Sequence, residues 1–571
     1  MVRKYIVVLQ IILFMAIASI IVIHFTRTTT GKEITVDDDG TSDYTIIQDA
    51  IDASTSGDSI NVLDGSYNEN VVVDKSILLI GSGSANCIIS GVGGDVVTIT
   101  ADHVNISGFT VQGGNDYSES GIKVKSDHCT INDNLITDNY YGVVMSYADF
   151  CKILSNDYTN NKLYSLRVGD SNYCSVSDNY ISMSVIGASF ARSDFLNFTN
   201  NSVADTKEDG VGLRQSKFAI LSNNTFLNSG LTISGESLEH WNTHTVDTAN
   251  TANSKPIYYY SGSQDLTVPD GAGQIILVSC SNIVVKNQTI TNTTDGILVA
   301  HSSNVTITNN IFSNNSGFGI HIDDDRDQYY DSGEHSGYHM ISNNTCTFNA
   351  GHGILLSNSD HNIIRNNTSS NNGITGIQLV SFSQENLISD NYCYDNRVSG
   401  ICLSHSSHNS LVSNRCGLNR WYGIELSFSD YILLKNNTYE NNGEEDFYIY
   451  EETDDWGFIS KMWIIGYLIS LPIGIILWRN WKSQQKIGKI CTKCKRQFIQ
   501  TREDDLLCDN CSEIRSDPDG TAKEEGNIVS LEDFCPNCNG KIMVNNIEVL
   551  FCPHCNESII IDEDGILRTD S

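Results

Sequence analysis

Gly376-Ile377-Gln378-Leu379, Gly400-Ile401-Cys402-Leu403 and Gly423-Ile424-Glu425-Leu426 are three copies of one phrase, 24 and 23 residues apart. Gly296-Ile297-Leu298-Val299, Gly319-Ile320-His321-Ile322 and Gly353-Ile354-Leu355-Leu356 carry it upstream in steps of 23, 34 and 23 residues. A fixed period of this size marks a solenoid, in which each repeat packs only on its neighbours. Apolar residues inside a repeat alternate, as Val305 and Ile307 do, so the unit is built of strands. A leucine-rich repeat would need a regular Leu ladder with Asn or Cys in fixed frame, which this chain lacks. A parallel β-helix fits, with coils stacked about 4.8 Å apart.

A second phrase supports the same period. Asn or Asp doublets fall at Asn309-Asn310, Asn343-Asn344, Asn366-Asn367, Asp390-Asn391 and Asn436-Asn437, with Asn414-Arg415 in the same series. An earlier set runs through Asn134, Asn179, Asn201 and Asn224. Asn tolerates the left-handed turn conformation, and its amide can bond to the equivalent Asn one coil above and below. Cysteines obey the register too: Cys129, Cys151 and Cys174 continue as Leu196 and Ala219, and Cys346, Ser369, Cys393, Cys416 and Tyr439 form another column. Such thiols read as packed and free. At residues 44–53 the spacing of Ile46, Ile47, Ala50 and Ile51 predicts a short amphipathic helix that caps the first coil.

Both ends of the chain differ from this body. Arg3-Lys4 precedes an apolar run at residues 5–23, read as a signal anchor or a signal peptide within residues 1–30. A second run, residues 462–478, is long enough to span a bilayer as a helix within 457–478. Acidic residues precede it and Arg479, Lys482, Lys486 and Lys489 follow, so the tail at 479–571 is expected inside the cell and the body at 31–450 outside. The tail holds Cys491-x2-Cys494-x13-Cys508-x2-Cys511 and Cys535-x2-Cys538-x13-Cys552-x2-Cys555. Each frame brings four thiolates to one tetrahedral Zn²⁺ with no open position, so two structural zinc ribbons are expected, at 489–514 and 533–560. Thiolate-bound zinc also calls for a reducing compartment. The net charge is −34. Chains this acidic repel nucleic acid, so the expected partners are the membrane, a surface ligand outside and a protein inside.

The stretch from Tyr44 to Gly113 resembles the opening of pectin-lyase-like right-handed β-helix proteins, through Thr45-Ile-Ile-Gln-Asp-Ala-Ile-Asp-Ala, Asp64-Gly-Ser-Tyr-Asn-Glu-Asn and Ile106-Ser-Gly-Phe-Thr-Val. Asn253-Ser-Lys-Pro-Ile-Tyr-Tyr-Tyr is similar to an insertion of NosD-type β-helix proteins, the periplasmic copper-binding family. The resemblance implies a right-handed helix, and its family name implies copper. The residues argue against copper: there are seven Met and no thioether cluster, and His240-x3-His244 and His335-x3-His339 also suit polar solenoid positions. Gly351-His352-Gly353 is similar to the Gly-His-Gly of polygalacturonases, but His352 sits in a slot that Phe318 fills one coil earlier, and the companion signatures are missing.

The 34-residue step marks an insertion at residues 323–334, where Asp323, Asp325, Asp327, Asp331 and Glu334 match positions 1, 3, 5, 9 and 12 of a calcium loop, with Gln328 in place of the usual Gly. Ca²⁺ and a solvated acidic loop are the two readings. The overall expectation is an all-β protein: a membrane-anchored surface β-helix that binds a glycan or another surface ligand, with two cytoplasmic zinc ribbons. Its rivals are a polysaccharide lyase or hydrolase and a copper-handling accessory protein.

Overall fold

The computed structural model describes residues 31–323 and 337–450, with short strand pairs between Lys489 and Thr569. Residues 31–450 contain a parallel β-helix whose coils each contribute three short strands. In one coil these are Thr130–Asn132, Leu135–Thr137 and Tyr141–Ser146. Each pairs in parallel with its counterpart one coil on, at Lys152–Leu154, Asp157–Thr159 and Tyr164–Gly169. The first sheet has ten strands from Glu33–Val36 to Thr245–Val246, and the third has eight from Val71–Val73 to Leu231–Ser234. Inward residues stack in columns: Ile122, Val143, Leu166, Ala188, Val211 and Leu231 are successive register partners in the third sheet, all buried.

The cap helix spans Ile47–Ala53 and buries Ile47, Ala50 and Ile51, while Ile46 is turned out to solvent. Its first amides are satisfied from a distance: the Glu69 carboxylate accepts from Ile47 N and Gln48 N, both at 2.9 Å. A carboxylate at that end also suits the helix dipole.

Corners are made by residues with positive φ followed by buried asparagines. The doublets divide the work. The first member takes the left-handed turn, as Asn309, Asn343, Asn366, Asp390 and Asn436 do, with φ of 54–57°. The second member forms the ladder, as Asn344, Asn367, Asn391 and Asn414 do, each amide donating to the next at 3.0 Å. In the Asn414-Arg415 pair the frame is shifted by one, with Ser413 as the turn residue and Asn414 in the ladder. A second ladder at the next corner runs Asn315, Asn349, Asn372, Asn396, Asn419 and Asn442. The glycines that open the Gly-Ile phrases let these coils close: a Cβ on Gly400 would lie 2.6 Å from the Gly423 carbonyl oxygen, and one on Gly423 2.4 Å from that of Asp446. Nine cysteines of the described residues are free and buried, six of them in the predicted columns and Cys87, Cys280 and Cys402 outside them, and burial pushes the Cys174 thiol up to about 12.

The stack is not continuous. After Leu231–Ser234 the chain makes a short helix, Glu239–Asn242, and an antiparallel turn between Thr251–Ala252 and Lys255–Ser261. A second array then begins, running to Glu445–Tyr450. Its first strands, Gln274–Val278 and Ile297–Ala300, are buried on both faces. Ile276, Val278, Leu298 and Ala300 belong to the core of the first array, and Ile275, Leu277, Ile297 and Val299 to that of the second. These strands are a shared wall closing the end of the first array. Gln274 pins it, accepting from Leu231 N at 2.9 Å and donating to Leu231 O at 2.8 Å.

Exposed rings also keep the register. His103, His128, Phe150, Tyr173, Phe195 and Phe218, all with positive φ, stack with centroids 4.6–5.0 Å apart and planes within 15°. The four inner rings spend both faces on their neighbours.

Candidate functional site

A different group of rings lies at the corner between the second and third sheets. Tyr117 and Tyr140 are tilted at 58° with centroids 5.4 Å apart, Tyr140 and Tyr141 meet edge to face at 4.9 Å, and Tyr141 and Tyr164 are tilted at 46° and 5.7 Å. These rings are not stacked face to face as the ladder is: Tyr117 is exposed, Tyr140 and Tyr164 are half-buried and Tyr141 is buried. Arg167 lies 5.8 Å above both Tyr141 and Tyr164. Burial raises the Tyr141 hydroxyl above its ordinary range.

Following the corner along the stack, Tyr141 pairs with Tyr164 and Tyr164 with Ile186, and the next coil brings Asp209 to this line. Three coils span about 14 Å. Here the first array meets the second: Ser316 Oγ donates to Glu208 O at 2.8 Å across the junction. The Asp209 carboxylate accepts from Thr232 Oγ1 at 2.7 Å and from Arg214 at 2.8 Å. Burial raises its pKa, against the pull of Thr232 and Arg214, and the charge of Asp295 adds to the rise.

Asp295 comes from the second array and is almost wholly buried. Its carboxylate accepts from Phe318 N at 2.8 Å and bonds His321 Nδ1 at 3.2 Å. Burial works against a charged His321, but the hydrogen bond and charge of Asp295, with Asp323 beyond, hold its pKa above the ordinary range. Phe318 stands edge-on to His321 at 4.7 Å and stacks with His352 at 5.5 Å, as the shared slot predicts. Burial, helped by His321, pushes His352 down to about 4. The corner thus joins a row of tyrosines to a dyad, Asp295–His321, beside a carboxyl inclined to hold its proton. None of Asp209, Asp295 and His321 stood out in the sequence, although His321 fills an outward position taken by Leu, Gln, Cys or Glu in its sister phrases.

The described members of the paired histidines are hydrogen-bonded into the stack. His244 commits both ring nitrogens, accepting from Ala219 N at 3.2 Å and donating to His240 O at 2.8 Å, and burial pushes it down to about 4. His339 Nδ1 accepts from Val305 N at 3.1 Å, and His335 lies outside the described residues. Among the described residues no group of three or more His, Cys, Asp or Glu is placed to hold a metal ion. Asp323 ends the strand Ile320–Asp323, and Asp325, Asp327, Asp331 and Glu334 lie outside the described residues. So do Cys491, Cys494, Cys508, Cys511, Cys535, Cys538 and Cys555, while Cys552 is described only as the end of a strand. Among the described residues no helix is long and apolar enough to cross a membrane, and both apolar runs fall outside them.

A family model described as "Right handed beta helix region" matches residues 120–271 and 329–459, and one described as "Periplasmic copper-binding protein (NosD)" matches residues 258–392. A cell surface glycoprotein of Methanothermus fervidus is 39% identical over 110 residues, which is 17% of this chain and 18% of that protein. The chain therefore spans less than a fifth of the length of this relative. Among solved structures, the periplasmic alginate epimerase AlgG is 15% identical, with a TM-score of 0.29 over 58% of this chain and 66% of that one. An alginate lyase from a Paenibacillus species is 9% identical with a TM-score of 0.26, covering 72% and 99%. The pectin methylesterase of Aspergillus niger is 14% identical with a TM-score of 0.25, covering 49% and 85%. At these scores none of the three carries an argument about activity.

Proposed function

We propose that this right-handed β-helix repeat protein is a membrane-anchored cell-surface protein that binds glycan along the corner from Tyr117 to His321. The observation that carries the reading is the tyrosine row, whose tilted rings offer faces to the C–H side of a sugar while their hydroxyls supply hydrogen bonds. Similarity to a cell surface glycoprotein supports an exterior site. A glycan array probed with the full chain in detergent tests it: binding that weakens in Tyr164→Ala is expected, and no binding to any glycan removes the proposal.

The inner part of the proposal is a pair of zinc ribbons behind a membrane span at residues 462–478. Two features support it beyond the cysteine spacing. Lys489–Ile490 pairs antiparallel with Gln497–Phe498, a hairpin that carries Cys491 and Cys494 in its connection. Leu550–Cys552 pairs with Glu557–Ile561, a hairpin carrying Cys552 and Cys555. Each hairpin brackets one Cys-x2-Cys pair of a different frame, as a ribbon in which such a pair supplies two of four thiolates would need. Ca²⁺ at Asp323, Asp325, Asp327, Asp331 and Glu334 is a further part of the proposal, tested by calorimetric titration.

One observation favours a second reading, acid–base chemistry on the bound sugar. Asp209, inclined to keep its proton, and the Asp295–His321 dyad are poised in opposite senses, the pattern of a general acid and a base. Turnover of any glycan that is abolished in His321→Gln separates this reading from binding alone.

A further inference from the structure

Several basic residues along the stack are paired with carboxylates, while Lys162 at the corner donates to the Asn115 carbonyl. Lys123 pairs with Asp95 at 2.8 Å, Arg214 with Asp209 at 2.8 Å and, at the neighbouring corner, Arg192 with Asp170 at 2.7 Å. Arg167 is different: it is exposed, and among the described residues it makes no ion pair. It rests instead on two tyrosine rings, 5.8 Å from each centroid. Neither ring takes up a guanidinium N–H in an ion pair, and those N–H groups form a fork matched to two oxygens of one anionic group. In a chain of net charge −34, an unpaired arginine held in place by aromatic rings is a local exception to the field around it. Long-range attraction does not draw an anion here, so recognition has to come from short-range geometry.

Resting on the glycan reading above, we propose that Arg167 is the anion-recognising residue of the tyrosine row, and that the glycan it selects carries a carboxylate or a sulfate. One sugar ring lies against Tyr164, the half-buried member of the pair that Arg167 overlies. Its acidic group meets the guanidinium edge. Val144 and Ser189, the register neighbours of Arg167 on either side, bring no carboxylate to compete.

The test compares full-length protein with Arg167→Gln and Arg167→Lys on neutral oligosaccharides, oligouronates and sulfated oligosaccharides. The intact protein is expected to bind at least one acidic class above the neutral ones, and whether uronate or sulfate is preferred identifies the source of the charge. Loss of a charge-assisted bidentate contact predicts a fall of about 10- to 100-fold for Arg167→Gln, with a smaller fall for Arg167→Lys. Affinity for the acidic class should also fall with added salt in the intact protein and not in Arg167→Gln. An unchanged melting temperature in both variants shows that the fold is intact, as the exposure of Arg167 leads one to expect. If neutral glycans bind as well as acidic ones and Arg167→Gln is unaffected, the inference is overturned while the glycan reading stands. If no glycan binds, both fail.

Discussion

Replacing Asn391 with alanine removes a side chain with four hydrogen bonds inside the stack. Its Oδ1 accepts from Asn367 N at 2.9 Å and from Asn367 Nδ2 at 3.0 Å, and its Nδ2 donates to Ile364 O at 2.8 Å and to Asn414 Oδ1 at 3.0 Å. The partners do not suffer equally. Asn414 Oδ1 still receives the Asn391 amide at 3.1 Å, and Asn367 Nδ2 still donates to Ile341 O at 2.9 Å. The Asn367 backbone N–H is left without an acceptor in a dry interior, a loss of about 1–3 kcal/mol. The lost Ile364 contact and the void left by the amide bring the total to about 3–5 kcal/mol. Because each coil touches only its neighbours, the damage should stay local. Hydrogen exchange by mass spectrometry should show coils 363–372, 387–396 and 410–419 opening faster, with the first array unchanged. Asn371→Gly is the control, since Asn371 is exposed with φ of 57° and glycine accepts that conformation freely. Asn391→Asp adds a pH signature. Its carboxylate would face the Ile364 and Asn414 oxygens, so its folded pKa must rise. Stability should then be greatest below about pH 4 and fall as pH rises through that raised value. An Asn391→Ala effect below about 1 kcal/mol, or equal to the control, would refute the ladder as a source of stability.

Other outcomes follow from the same geometry. Gly400→Ala drives a Cβ to 2.6 Å from the Gly423 carbonyl oxygen and should lower the melting temperature more than Gly169→Ala, where nothing lies within 4 Å. His244 is held neutral, with a folded pKa of about 4. A depressed histidine stabilises fully above its unfolded value and loses that contribution as pH falls, so stability should decline between about pH 6.5 and 4 by about 1.4 kcal/mol per pH unit for each such group. Thermal melts across that range check it, and a flat profile contradicts it. Tyr164→Ala should weaken glycan binding by about 10-fold without altering the melt, as read by titration calorimetry. Metal analysis should find two zinc ions per chain, and chelation should free eight thiols to a colorimetric reagent and leave the first array's exchange unchanged.

Period and alternation sufficed for the solenoid, because every coil solves the same packing problem and so repeats its residues. The cysteine columns were readable for the same reason: Cys393, Cys416 and Tyr439 share one inward register. One asparagine per doublet was credited with both turn and ladder, whereas the chain gives those tasks to two residues. The second ladder was missed although Asn371-Asn372 and Asn441-Asn442 are plain doublets. The junction between the two arrays was illegible. Asp209 and Asp295 meet only because residues 235–273 end one stack and start another against it, and a junction that occurs once leaves no period to detect. His321 was the available clue, a titratable ring in an outward slot otherwise filled by Leu, Gln, Cys or Glu.

The strands at Gln274–Val278 and Ile297–Ala300 have a mechanical consequence. Solenoids of independent coils peel from a free end one turn at a time under tension. Here neither array has a free end at the middle of the molecule, since each would have to strip apolar cover from the other before yielding. A pull applied between the two tips should therefore meet a single high barrier at the junction, after small steps at the extremities, a force profile that optical tweezers would record as one late rupture.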